Sequence, residues 1–131
     1  MSNVMEKIGN ADNLIKEAKS IIDLRYKKGA HSVGAALRTK SGKIYTGISI
    51  KGLKLDLCSE WTAIGRAFVE GETEIESIVA VHRKEDGTFE FFPPCGLCRE
   101  LLTKYCPDAL VIFSENEFKK ASDLLPSAWK R

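Results

Sequence analysis

Two short stretches of this chain place three cysteines and one acid in a pattern that asks them to meet. One reads Leu57-Cys58-Ser59-Glu60-Trp61. The other reads Pro93-Pro94-Cys95-Gly96-Leu97-Cys98-Arg99-Glu100, its first cysteine 37 positions after Cys58. Each stretch opens a segment with helical spacing. Between the two lies a strongly apolar run, Ile75 to Val81, that reads as a central strand. The fold must therefore bring two helix starts together beside one buried strand.

The rest of the chain supplies the frame. Val4 to Leu24 reads as an amphipathic helix, with Leu14, Ile15, Ala18, Ile21 and Ile22 on one stripe. Gly9-Asn10-Ala11-Asp12 interrupts it, so its start is expected near Asn10 or Asp12, either of which can cap. Ser32–Thr39 and Lys43–Ile50 flank Lys40-Ser41-Gly42 and read as a β-hairpin. Gly34, Ala35 and Ala36 imply that something packs very close to its first strand. Residues 51–57 read as a loop. A helix from about Cys58 to Val69 follows, ended by Gly71. After Ile75–Val81, a turn at Lys84–Gly87 leads to a strand over Thr88–Phe92, stopped by Pro93-Pro94. A helix from Gly96 to Tyr105 and a strand over Ala109–Phe113 complete the pattern. The tail, with Phe118, Leu124-Leu125-Pro126 and Trp129, is expected to pack back as a short helix or turn. Strands alternating with helices imply an α/β protein: a three-layer α/β/α sandwich on a mixed sheet.

At 131 residues the chain is long enough for one domain, 1–131, with its own core. A net charge of +2 gives no reason to expect nucleic acid as partner. No apolar run approaches the roughly 20 residues that span a bilayer. Met1 to Lys7 lacks the apolar segment of a signal peptide. The expected compartment is the cytosol, where four cysteines are metal ligands or thiols rather than disulfides.

The pattern suits zinc. A catalytic zinc takes three protein ligands and keeps a fourth position for water. Cys95 and Cys98 share a C-x-x-C step at one helix start, and Cys58 stands at another. The unpaired N–H groups and partial positive charge at helix N-termini favour thiolates. Arg99 is placed to add a charged hydrogen bond to a sulfur. Glu60, two residues after Cys58, can face the open side of the metal and exchange protons with its water without becoming a ligand. Three plainer readings compete. A redox dithiol would follow a thioredoxin-like strand and needs no C-x-E upstream. A closed, structural zinc module would need a fourth ligand, Cys106 or His82. Cys106 lies eight residues beyond Cys98, about 12 Å along a helix, and reads as core. His82 ends a strand and reads as a surface residue. A nucleic-acid editor would want a basic, aromatic-studded groove that this composition does not suggest.

With Cys58-x-Glu60 and Pro94-Cys95-x-x-Cys98 the chain resembles the cytidine deaminase superfamily, whose zinc members use the glutamate as general acid/base and not as a ligand. Val33–Leu37, Gly42–Gly47, Thr62-Ala63-Ile64 and Leu124-Leu125-Pro126 are similar to small, single-domain cytidine deaminases. The resemblance implies a central mixed five-stranded sheet, a cytosine nucleoside or analogue as substrate, and a homotetramer whose sites borrow residues across interfaces. It also implies that the Ser59 carbonyl accepts a hydrogen bond from the substrate amino group. Four positions depart from the family pattern. Ser49 and Lys51 stand where Asn and Glu usually hold the ribose hydroxyls. His31 stands where an aromatic lines the base pocket. Trp61 replaces the arginine that tempers the thiolates. His31-Ser32-Val33 is similar to the same strand start in blasticidin S deaminases. Ser49 can still donate one hydrogen bond, whereas Lys51 suits an anionic substituent better than the cationic arm of blasticidin.

Overall fold

The computed structural model of the protein describes residues 4–129, with side chains described from residue 10 onward. Helix α1 spans Val4–Arg25. Strands β1 (Val33–Thr39) and β2 (Ile44–Ile48) form the expected hairpin, in register Ala36↔Thr46. A two-residue ribbon, β3 (Ile50–Lys51) and β4 (Asp56–Leu57), leads into helix α2 (Ser59–Val69). Strand β5 (Ile75–Arg83) is followed by β6 (Phe89–Phe91), helix α3 (Gly96–Tyr105), β7 (Leu110–Ile112) and β8 (Phe118–Lys120). A 3-10 turn, Ala121–Leu124, comes next.

The main sheet runs β2-β1-β5-β7-β8. Its centre is β5, antiparallel to β1 along nearly its whole length. On its other side β5 pairs in parallel with β7 at Ser77 and Ile78, then with β6 at Val81–Arg83. The parallel step follows from the crossover through α3. With β6 counted, the sheet has six strands.

Alternation along the strands sends side chains to two cores. Ala36, Val79, Val81 and Ile112 pack on Leu14, Ile15, Ala18 and Ile22 of α1. Ala35, Leu37, Ile78, Ala80 and Val111 pack on Ala63, Ile64 and Ala67 of α2 and on Leu101 and Leu102 of α3. The molecule is thus three layers, with α1 on one face of a mixed sheet and α2 and α3 on the other. Full burial of residues such as Leu14, Ile22 and Leu37 contributes about 1.5–3 kcal/mol each.

Two glycines set how close the layers come. A Cβ on Gly34 would stand 2.5 Å from the Ala18 carbonyl oxygen and 2.8 Å from the Ile22 Cβ, so β1 and α1 nearly touch. A Cβ on Gly47 would overlap the Thr62 hydroxyl, the Ala63 nitrogen and the Ser59 carbonyl. That absence lets the first turn of α2 lie against β2. The far end of α2 closes as a Schellman motif: Gly71, at φ 82°, donates to Phe68, and Glu72 donates to Ala67.

The structure corrects two expectations and extends two. Helix α1 continues back to Val4, so neither Asn10 nor Asp12 caps it. Residues 51–57 are not plain loop: Ile50 pairs with Leu57, and Lys51 with Asp56. The expected strand over Thr88–Phe92 forms as β6 and pairs with the end of β5. The expected short helix of the tail is the 3-10 helix Ala121–Leu124, and an additional strand, β8, precedes it. Strand β8 has one apolar residue, Phe118, and is formed by pairing with β7; Lys119 and Lys120 then guard a sheet edge.

Gly47→Ala should push α2 off β2. Overpacking of this kind costs about 1–3 kcal/mol, read as a lowered thermal midpoint. Gly65→Ala, on the same helix and with open space around it, should leave the midpoint unchanged or higher.

Candidate active site

Cys58 and Cys95 are the N-cap residues of α2 and α3, extended at φ −70°, ψ 149° and φ −71°, ψ 175°. The Cys58 side chain makes no capping hydrogen bond. The sulfurs turn toward each other instead. Cys58 Sγ lies 3.3 Å from Cys95 Sγ, which lies 3.4 Å from Cys98 Sγ. All three sulfurs fall within 4.8 Å of one another. A tetrahedral zinc with bonds of about 2.3 Å would set its sulfurs roughly 3.8 Å apart, so a small opening of the triangle admits the ion. Among the described residues no fourth His, Cys, Asp or Glu joins the group. The donor set therefore fits a zinc with an open position.

The thiols differ in how readily they ionise. Burial, then the Cys95 contact, pushes the Cys58 thiol up to about 11. Cys98, with no exposed surface, is pushed far higher, by burial first and the Glu60 charge next. Cys95 is held below its ordinary value: burial works against this, but the Cys98 N–H and the neighbouring sulfurs outweigh it. Three thiolates this close need a cation among them.

Glu60 is the second residue of α2 and only 6% exposed. It lines a narrow crevice with Ala80, Phe92 and Pro94. Burial raises its carboxyl above the usual range, opposed by its own N–H and by the Ser59 hydroxyl, which donates to Oε1 at 3.2 Å. It stands close enough to act on Cys58 and Cys98, yet outside the ligand group.

The other expected residues fall as follows. The Ser59 side chain is fully buried; its carbonyl already accepts the Thr62 hydroxyl at 2.9 Å, so a substrate amino group would share that oxygen. Ser49 Oγ accepts the N–H groups of Ser32 (3.3 Å) and Val33 (3.1 Å), and its carbonyl accepts from His31 Nδ1 at 2.9 Å. Lys51 is exposed on β3. Trp61 and Leu97 border a groove of about 440 Å³ between α2 and α3 that flanks the cluster. Arg99 does not reach a sulfur: Nε donates to the Pro94 carbonyl at 2.8 Å and Nη1 to that of Leu124 at 3.4 Å. It braces the loop before Cys95 against the tail. Cys106 caps the far end of α3, buried with Ile75 and Ala109. His82 lies at the surface and outside the ligand group, as expected; it stacks on Phe92 at 4.7 Å and meets Glu90 at 2.9 Å.

Thr62 and Gly47 escaped the sequence reading as site residues. The Thr62 hydroxyl lies between the carbonyls of Ile48 (3.0 Å) and Ser59, tying β2 to the turn that carries Glu60. A glycine inside a strand pattern was the available signal for this close approach.

A buried acid beside an open three-thiolate centre defines a site for metal-assisted hydrolysis. Residues 9–114 match the family described as the cytidine and deoxycytidylate deaminase zinc-binding region. The blasticidin-S deaminase of Bacillus cereus is 36% identical over 109 residues, covering 79% of this chain and 78% of that one. A cytidine deaminase of Halalkalibacterium halodurans is 32% identical over 129 residues, 88% and 91% of the two chains. The crystal structure of cytidine deaminase from Burkholderia pseudomallei superposes with a TM-score of 0.75 at 28% identity, covering 90% of this chain and 98% of that one. The chain belongs to the cytidine deaminase family, zinc hydrolases that act on C–N bonds. Among the described residues no helix is long and apolar enough to cross a membrane.

Replacing Cys95 by Ser should drop bound zinc from about one ion per chain to near none, by elemental analysis after dialysis, with loss of fold stability. Cys106→Ser should lower stability but keep the zinc.

Proposed function

We propose that this chain, as one deaminase domain, hydrolyses the amino group from a cytosine ring carried by a nucleoside or nucleoside-like compound. The observation that carries the reading is Glu60: buried, its carboxyl raised by desolvation, next to the three sulfurs but not among the ligands. Cys58, Cys95 and Cys98 would hold zinc. Bound there, zinc makes a water nucleophilic near neutral pH.

The protein's own groups do the rest. The first turns of α2 and α3 direct their partial positive charge at the sulfurs, offsetting part of the thiolate charge. Glu60 takes a proton from water and gives it to the ring nitrogen next to the amino-bearing carbon. It then takes the second proton and delivers it to the departing nitrogen. Water adds its oxygen to the ring carbon, the C–N bond breaks, and ammonia leaves with a uracil-type ring. The Ser59 hydroxyl holds Oε1, and the Ser59 carbonyl orients the amino group. Ser49 and Lys51 would face the non-ring part of the substrate, and His31 the base pocket.

A blasticidin-S-type substrate is the second reading, supported by the 36% likeness to the Bacillus cereus enzyme and by His31-Ser32-Val33. A homo-oligomer, a tetramer by family resemblance, would cover the exposed Trp61, Leu97 and Tyr105. The reducing cytosol suits three thiolates.

Zinc-loaded protein should release ammonia from cytidine or blasticidin S, and absence of turnover on every cytosine compound would sink the proposal. Glu60→Gln should keep about one zinc per chain while turnover falls by at least about 10²–10⁴. Loss of the metal in that variant would make Glu60 structural instead.

A further inference from the structure

The end of β2 is tied to the helix start that follows Cys58 and carries Glu60. Thr62 Oγ1 sits 3.0 Å from the Ile48 carbonyl, and Ile50 pairs with Leu57, the residue before Cys58. Ser49 and Lys51 lie on this segment, which continues as β3. What they offer a ligand can be read from their hydrogen bonds.

Ser49 Oγ accepts from two backbone donors, Ser32 N and Val33 N. A hydroxyl has two acceptor lone pairs and one proton. Both lone pairs are occupied, and among the described residues no acceptor meets the proton. Ser49 can therefore only donate. Lys51 also only donates, and its ammonium has no ion-pair partner among the described residues. Asp56 stands opposite it in the ribbon, but no ion pair joins the two. The Lys51 N–H is spent on the Ala30 carbonyl at 3.2 Å, which draws the segment against the His31 loop. His31 Nδ1 donates to the Ser49 carbonyl, because that oxygen can only accept. Its Nε2 is left as an acceptor for the ligand. On the segment 49–51 itself Ser49 and Lys51 supply an unpaired donor and a cation, with no carboxylate beside them; the acceptors at hand are His31 Nε2 and Asp56 across the ribbon.

We propose that this rim recognises an anionic group, a carboxylate or phosphate, on the arm of the cytosine-bearing substrate, with Lys51 and the Ser49 hydroxyl as its donors. The inference rests on the cytosine-deaminase reading and specifies its substrate class. A carboxylate or phosphate accepts from either group, and such charge-assisted bonds are the strong ones.

The test compares kcat/KM of the zinc-loaded enzyme on cytidine, cytidine 5′-monophosphate and cytidine 5′-carboxylate, with calorimetric binding of the corresponding uracil products. At least one anionic compound should exceed cytidine by about tenfold or more, as expected for one charge-assisted hydrogen bond. Whichever anion leads identifies the group. In Lys51→Glu the anionic-to-neutral ratio should collapse below one, and in Lys51→Met it should fall to near one. A wild-type ratio at or below one, or a ratio indifferent to both substitutions, overturns the inference while leaving the deaminase reading intact. If no cytosine compound turns over, that reading fails. The inference then falls with it, because it names the substrate class of that reaction.

Discussion

Negative charge gathered in one small volume governs this structure. Three sulfurs within 4.8 Å, with a buried carboxylate alongside, cannot all ionise on their own. Burial and mutual contact already hold the Cys58 and Cys98 thiols far above their ordinary range. A divalent cation resolves the conflict, and so do the oriented N–H groups of two helix starts. The main architectural demand is therefore that two helices end at one point, with their N-termini inward.

The sheet meets that demand through short ties rather than through bulk. Gly47 lets α2 settle on β2, and Thr62 links the two at the turn that bears Glu60. On the other side, Arg99 bonds the Pro94 and Leu124 carbonyls, so the tail steadies the loop before Cys95. Gly34 presses α1 onto the opposite face of β1. Each tie involves a residue too small or too polar to count as core. Together they fix where the Glu60 carboxylate and the sulfurs sit relative to each other.

Much of this was legible in the chain itself. C-x-E and P-C-x-x-C at helix starts announced the metal group, and both helices fall within a residue of their expected bounds. Periodicity revealed the hairpin, the central strand and the two-sided layering. Strand β8 was hidden because pairing with β7, not local pattern, creates it. Arg99 beside Cys98 in sequence suggested a sulfur partner, yet the turn of α3 aims it at carbonyls instead. His82 read correctly as a surface residue, but its partners Glu90 and Phe92 arrive through a hairpin and were not legible. The two backbone donors that occupy the Ser49 hydroxyl come from another strand start, which spacing alone does not encode.

The most direct measurement is X-ray absorption at the zinc edge of the purified, reduced protein. The account predicts three sulfur scatterers at about 2.3 Å and one oxygen or nitrogen scatterer near 2.0 Å. A shell of four sulfurs, or one without any sulfur, would contradict it.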